Sequence, residues 1–220
     1  GYFVSISVIT VNGQSVNLVA FPTSPGLRSI EFTLTDSVGI VPSVFTGQKQ
    51  SQEWPGADMW SWALTLPGLT QLQEDDWACF LMEMRGMANA FQFGAPLKGT
   101  PRGSVAGTPL IDNTVTNGNG AMSQTLGLKG FTASATGVLK RGDYVQTGYR
   151  LYRCLVDVNA DSSGKALIPI APSLREIPVD SSALITANTQ GLWRLSKNSR
   201  GYSTDVTQLS RMSFPIEEYR

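Results

Sequence analysis

Alternation of apolar and polar residues dominates the first third of the chain. Residues 2–11 (YFVSISVITV) are rich in β-branched and aromatic residues, and residues 15–21 (SVNLVAF) repeat that character after Asn12-Gly13. Asn-Gly suits the positive φ angles of a tight two-residue turn, so the segment predicts a β-hairpin. After a turn at residues 22–26, Leu27, Ile30, Phe32 and Leu34 alternate with Arg28, Glu31 and Thr33, with one slip near Ser29. That is the pattern of a half-buried strand carrying a bulge. Further strands are predicted at 43–50 and 58–66, before Pro67-Gly68 interrupts the chain.

The period then changes. Trp77, Phe80, Leu81, Met84 and Ala88 recur at three- and four-residue spacing, which predicts a helix over about 70–90 with one apolar face. Thr70 and Gln73 have the spacing of a capping box, and Glu74, Asp75 and Asp76 lie where the helix dipole favours negative charge. Residues 94–136 are rich in Gly, Ser, Thr and Asn, with Pro at 96, 101 and 109, and show no helical period. A structureless loop of that length is unusual, so extended segments packed on a neighbour are expected. β character returns over 138–158, with a turn at Gln146-Thr147-Gly148, then a turn at 159–164 and a strand at 165–170. Strands are also expected at 183–187, 191–196 and about 206–216. The expected class is mainly β: an antiparallel β-sandwich with one packed helix, a small inserted β unit and an extended arm.

Composition narrows the function. Among 220 residues, Lys plus Arg and Asp plus Glu are both 17, so the net charge is zero. Proteins that neutralise nucleic-acid phosphates need a positive excess, and sequence-specific nucleic-acid binding is not expected. No apolar run reaches membrane-spanning length. The start, Gly1-Tyr2-Phe3-Val4, lacks the basic stretch that precedes the apolar core of a signal peptide. Cys79 and Cys154 are far apart, form no CxxC, and read as buried thiols.

There is no histidine. Ser-His-Asp and Cys-His catalysis and histidine metal ligation are therefore excluded. Carboxylate pairs exist at Glu53/Asp58, Asp75/Asp76 and Glu217/Glu218, but nothing in their spacing opposes two of them across a cleft. Asp157, Asn159 and Asp161 match the first ligand positions of a calcium loop, yet Ser162 and Ile168 stand where Gly and Glu are needed, so a polar hairpin turn is the expected reading. Arg141-Gly142-Asp143 matches a cell-adhesion tripeptide but also suits a turn entering a strand. No phosphate-cradling glycine motif occurs. No catalytic, cofactor or metal-binding residue is assigned. Trp54, Trp60 and Trp62 could form a sugar-stacking platform, although aromatic residues at such spacing more often anchor cores and interfaces. Trp77 and Phe91 join them as candidate core or interface anchors.

Two longer segments carry a resemblance. The first runs through Trp54-Pro55-Gly56, Trp60-Ser61-Trp62, Leu66-Pro67, the helix with Trp77 and Phe80-Leu81, Met84-Arg85-Gly86, Phe91 to Pro96, and Pro101-Arg102-Gly103. The second includes Leu139 to Tyr144, Tyr149-Arg150-Leu151-Tyr152-Arg153, Asp161 to Gly164, and Ile168 to Arg175. This order resembles the distal tail (tail-tip or baseplate ring) proteins of long-tailed bacteriophages, with Met84 in place of an expected Leu. The resemblance covers about half the chain. It implies a structural, non-enzymatic virion protein at the distal end of the tail, folded in the host cytoplasm before assembly. It also implies a homo-oligomeric ring, usually hexameric, that contacts the tail tube protein, the tail hub and other tail-tip proteins. On this reading, residues 1–98 form the ring-forming sandwich, 99–180 an arm and small β insertion, and 181–220 the strands that return to complete the first domain. A carbohydrate-binding or adhesin module at the tail tip is the alternative.

Overall fold

The computed structural model describes residues 6–115, 119–199, 201–204 and 209–220. In chain order the elements are β1 (Ser7–Val11), β2 (Gln14–Leu18), β3 (Ser29–Thr35), β4 (Val38–Pro42), β5 (Lys49–Glu53), β6 (Met59–Thr65), α1 (Gln71–Glu83), β7 (Phe91–Phe93) and β8 (Gly107–Ile111). They continue with β9 (Thr125–Phe131), β10 (Tyr144–Thr147), β11 (Arg150–Cys154), β12 (Ala166–Ala171), β13 (Gly191–Leu195), β14 (Ser203–Thr204), β15 (Ser210–Arg211) and β16 (Ser213–Glu218). Among the described residues the chain is mainly β, with several antiparallel sheets and a single helix, consistent with a β-sandwich carrying one helix.

Two compact units form, each from discontinuous segments. The first comprises the described residues up to Thr33, Trp60–Phe93 and the described residues from Gly191 onward; the second comprises Leu34–Met59 and Gly94–Gln190. Residues 34–59 thus cluster with the later segment, Gly94–Gln190.

In the first unit, one sheet has the order β3-β6-β16-β13-β7. Strand β6 alternates strictly, with Trp60, Trp62 and Leu64 buried and the residues between them half-buried. Helix α1 packs by Trp77, Ala78, Phe80 and Leu81. Phe21 joins the aromatic core, with its ring centroid 5.2 Å from Trp77, 5.5 Å from Phe80 and 4.8 Å from Phe93. On the same face of this sheet the ring centroids of Trp62 and Trp193 are 4.2 Å apart. At the helix start, Gln73 Oε1 accepts the Thr70 N–H at 3.1 Å, as the capping-box spacing implies. The helix is shorter than the expected 70–90. Arg85 and Gly86 adopt left-handed φ values of 48° and 69°, which end it and turn the chain into β7. Hairpin β1–β2 turns through Asn12 and Gly13, both at positive φ, as that dipeptide favours. The expected strand over 2–11 is described only from Ser7 onward, since residues 1–5 lie outside the described residues, as do 205–208 of the last expected segment.

The second unit is built on a sheet of order β10-β11-β12-β9-β8. Ile111, Leu126, Leu128, Val145, Ile168 and Ile170 form the centre of its core. Complete burial of side chains of this size contributes about 1.5–3 kcal/mol each. The Gly-rich stretch does supply extended segments, β8 and β9. Residues 183–187 form isolated bridges, at Ala183 and Ile185, rather than a continuous strand. Residues 43–48, expected to be strand, instead form the turn of an outlying hairpin, β4–β5.

Candidate interaction surface

The five aromatic residues singled out from the sequence fall into two environments. Trp60, Trp62, Trp77 and Phe91 are core residues of the first unit, each at most 5% exposed. Trp54 is 52% exposed and sits at the base of hairpin β4–β5 in the second unit. Of the three tryptophans that could stack a sugar, Trp54 alone has an open ring.

Hairpin β4–β5 combines apolar composition with exposure. Its register pairs Val38 with Glu53, Ile40 with Ser51 and Pro42 with Lys49, so Val38, Ile40 and Pro42 share one face. Val38, Ile40 and Val41 are all exposed, and at the tip Val44 and Phe45 are 94% and 98% exposed. The Trp54 ring covers Gly39, where an added Cβ would come within 2.6 Å of it. Trp54 N–H also donates to the Ser37 carbonyl at 3.0 Å, which closes the hairpin base. Among the described residues no further strand pairs with either edge of this two-stranded sheet. A lone two-stranded hairpin is marginal in water, and contiguous exposed apolar surface marks an interaction site.

The apolar residues of this surface are Val38-Gly39-Ile40-Val41-Pro42 and Val44-Phe45, whereas the strand expected over 43–50 falls mostly on the hairpin turn. Gly39 and Pro42 weaken a strand pattern, so β4 was not foreseen.

The other candidate groups are occupied locally. Asp143 of the Arg-Gly-Asp tripeptide is 4% exposed. Its carboxylate accepts the backbone N–H groups of Arg102 at 2.8 Å, Gly103 at 3.0 Å and Lys140 at 2.8 Å. The calcium-loop residues are likewise engaged: Asp157 accepts from Arg141 N–H and Lys140 Nζ, Asn159 from Gly137 N–H, and Asp161 from Ser163 and Lys165 N–H groups. The Arg141 N–H, with Lys140 second, holds Asp157 below the usual carboxylate range. No group of three or more acidic or cysteine side chains suited to a metal occurs among the described residues.

Two of the three carboxylate pairs have local partners, while Asp75 and Asp76 lie in the first half of α1. Glu53 accepts Gln124 Nε2 at 2.6 Å. Asp58 accepts Ser173 N–H and Oγ–H at 2.6 and 3.1 Å, and Gly56 N–H at 3.2 Å. Arg175 also meets Asp58, at 3.3 Å. Glu217 and Glu218 are consecutive in β16 and point to opposite faces; Glu217 pairs with Arg194 at 2.7 Å.

A buried carboxylate that the sequence did not flag is Asp112. It is fully buried, meets Lys165 at 2.8 Å, and accepts the Thr114 hydroxyl at 2.5 Å and its N–H at 3.0 Å. The Lys165 ammonium, followed by the Thr114 hydroxyl, holds its carboxyl well below the usual range. The thiols differ from expectation. Cys154 is buried, and burial pushes its thiol up, but Cys79 is exposed on the outer side of α1. Trp77, Ala78 and Phe80 take the inner side, leaving position 79 to solvent.

Among the described residues no helix is long and apolar enough to cross a membrane. Compared with known families and curated proteins, the chain matches no family model and no curated protein.

Proposed function

We propose that this chain is a structural subunit of a phage-type tail tip. Copies would join in a ring, expected to be hexameric, between the tail tube and the tip or receptor-binding complex. Its work on this reading is mechanical rather than catalytic, and its place is the distal end of the virion tail. The resemblance over residues 54–103 and 139–175 motivates the reading.

The observation that carries it is hairpin β4–β5. Its two open edges differ: β4 is Val-Gly-Ile-Val-Pro and β5 is Lys-Gln-Ser-Gln-Glu. Adding β4 of one copy to β5 of the next is a head-to-tail contact, the class that closes rings when the rotation permits. Lys49 and Glu53 lie at opposite ends of β5, so a hairpin offers both signs of charge to its neighbour. Zero net charge leaves no long-range repulsion between copies. The occupant of the apolar hairpin is therefore a second copy of this chain.

Solution mass by light scattering at micromolar concentration, with particle imaging, tests this. A closed ring in wild type that falls to monomer in Val44→Ser/Phe45→Ser supports the reading. A wild-type monomer that also fails to join tail tube and hub proteins refutes it. Glycan retention by that monomer would move the assignment to a carbohydrate-binding tip module.

A further inference from the structure

The second unit also contains a cleft of about 60 Å³, lined by Lys98, Thr100, Arg102, Asp143, Tyr144 and Arg153 together with Arg141 and Gly142. Four of these residues are cations and one is a carboxylate. In a chain with equal numbers of positive and negative side chains this is a strong local excess. Among the described residues no ion pair joins Lys98, Arg102, Arg141 or Arg153 to a carboxylate, whereas Lys129, Lys140, Arg150, Lys165, Arg175 and Arg194 are each paired elsewhere.

The carboxylate inside the cleft does not neutralise them by direct contact. Both Asp143 oxygens are taken by the backbone N–H groups of Arg102, Gly103 and Lys140. Two guanidinium groups are instead held by main-chain carbonyls. Arg102 Nη1 donates to the Arg141 carbonyl at 3.4 Å, and Arg153 Nε donates to the Gly142 carbonyl at 3.3 Å. Arg153 also lies over the Tyr144 ring, 5.3 Å from its centroid. These contacts use a small part of each guanidinium, leaving further N–H donors for a ligand.

We propose that this cleft is a binding site for a tetrahedral oxyanion, a phosphate or sulfate group. Guanidinium forks match the geometry of such oxygens, and Lys98 adds a point charge. Its volume suits a group of a few heavy atoms rather than a nucleoside or sugar ring. The site is independent of ring assembly, since it uses residues 98–102 and 141–153 and none of β4–β5.

Calorimetric titration of the full chain with inorganic phosphate, and separately with sulfate, tests the site at fixed ionic strength. Saturable binding with one site per chain is expected for at least one of the two, and the stronger identifies the group. Arg102→Gln/Arg153→Gln should weaken it at least tenfold with an unchanged circular dichroism spectrum, while Lys129→Gln, remote in sequence and paired with Asp180, should bind as wild type. Arg153→Lys, which keeps the charge but loses the fork, should fall between. Absence of saturable binding to either anion overturns the proposal. So does equal weakening by Lys129→Gln and the double variant, which would reduce the effect to general charge. Should the double variant lose its fold, Arg153→Lys decides alone: wild-type affinity there would refute the role of the fork.

Discussion

The most exacting prediction concerns Asp143. Its carboxylate accepts three backbone N–H groups at 2.8–3.0 Å while only 4% exposed. It thereby ties the segment at Arg102 and Gly103 to the turn that enters β10. Replacing it with Ala removes the acceptor and leaves those three donors to find water or remain unmet. A hydrogen bond to a charged partner contributes about 1.5–3 kcal/mol, and an unsatisfied buried donor costs a similar amount. Simple addition overstates the total, because the three bonds share one carboxylate and water reaches part of the site. About 3–5 kcal/mol is therefore expected for Asp143→Ala. Removing the one carboxylate among four cations pushes in the same direction.

Bulk tryptophan fluorescence is a poor readout for this variant, because Trp60, Trp62, Trp77 and Trp193 belong to the first unit and Trp54 alone to the second. Native-state hydrogen exchange is suited to it. The amides of Arg102, Gly103 and Lys140, with those of β10 and β11, should exchange about 10²- to 10³-fold faster or more, since each 1.4 kcal/mol is tenfold. Asp157→Ala, at an exposed carboxylate that accepts none of these three N–H groups, should leave the same amides near wild-type protection. A change below tenfold in Asp143→Ala would show that the carboxylate is not holding this corner. The side chain could then be an exposed recognition group, for which surface substitutions stay within about 0.5 kcal/mol.

Three further outcomes are expected. Gly164→Ala should lower the melting temperature of the second unit by an amount equivalent to at least about 2 kcal/mol, because φ is +73° and the new Cβ would sit 2.2 Å from the Phe131 carbonyl; an unchanged transition would contradict that geometry. A thiol titration of native protein should show one fast-reacting cysteine, lost in Cys79→Ser, and a second released only by denaturant; rapid reaction of both would contradict the burial of Cys154. Asp112 has a lowered folded-state pKa, so its stabilisation is fully present above the ordinary carboxylate value of about 3.9 and is lost as pH falls below it towards the folded value. Acid unfolding of Asp112→Asn should lack that component below about pH 4, and parallel acid curves for the two proteins would refute the assignment.

Local chemistry was readable from the sequence wherever neighbours in the chain decide the structure. Asn12-Gly13 sets its own turn, and the Trp77, Phe80, Leu81, Met84 spacing sets the face of α1. Where α1 ends was not readable from that spacing, because the apolar period runs on through Ala88 while Arg85 and Gly86 already turn away. The same limit governs the thiols: Cys79 sits between Ala78 and Phe80, both buried, and only the rotation of α1 about its axis decides that it faces out.

Long-range pairing hid the rest. Strand β6 lies between β3 and β16, partners separated by most of the chain, and this closes the first unit around an excluded segment. Residues 34–59 then cluster with residues that follow them by at least 35 positions in sequence, a grouping that no local period encodes. The cleft has the same origin. Lys98 and Arg102 lie on the β7–β8 connection, while Arg141 precedes β10 and Arg153 lies within β11, and Asp143 joins the two through backbone N–H groups. Each basic residue alone reads as an ordinary solvated charge. Their meaning depends on a buried carboxylate that spends its oxygens on the main chain and so leaves four cations facing one small space.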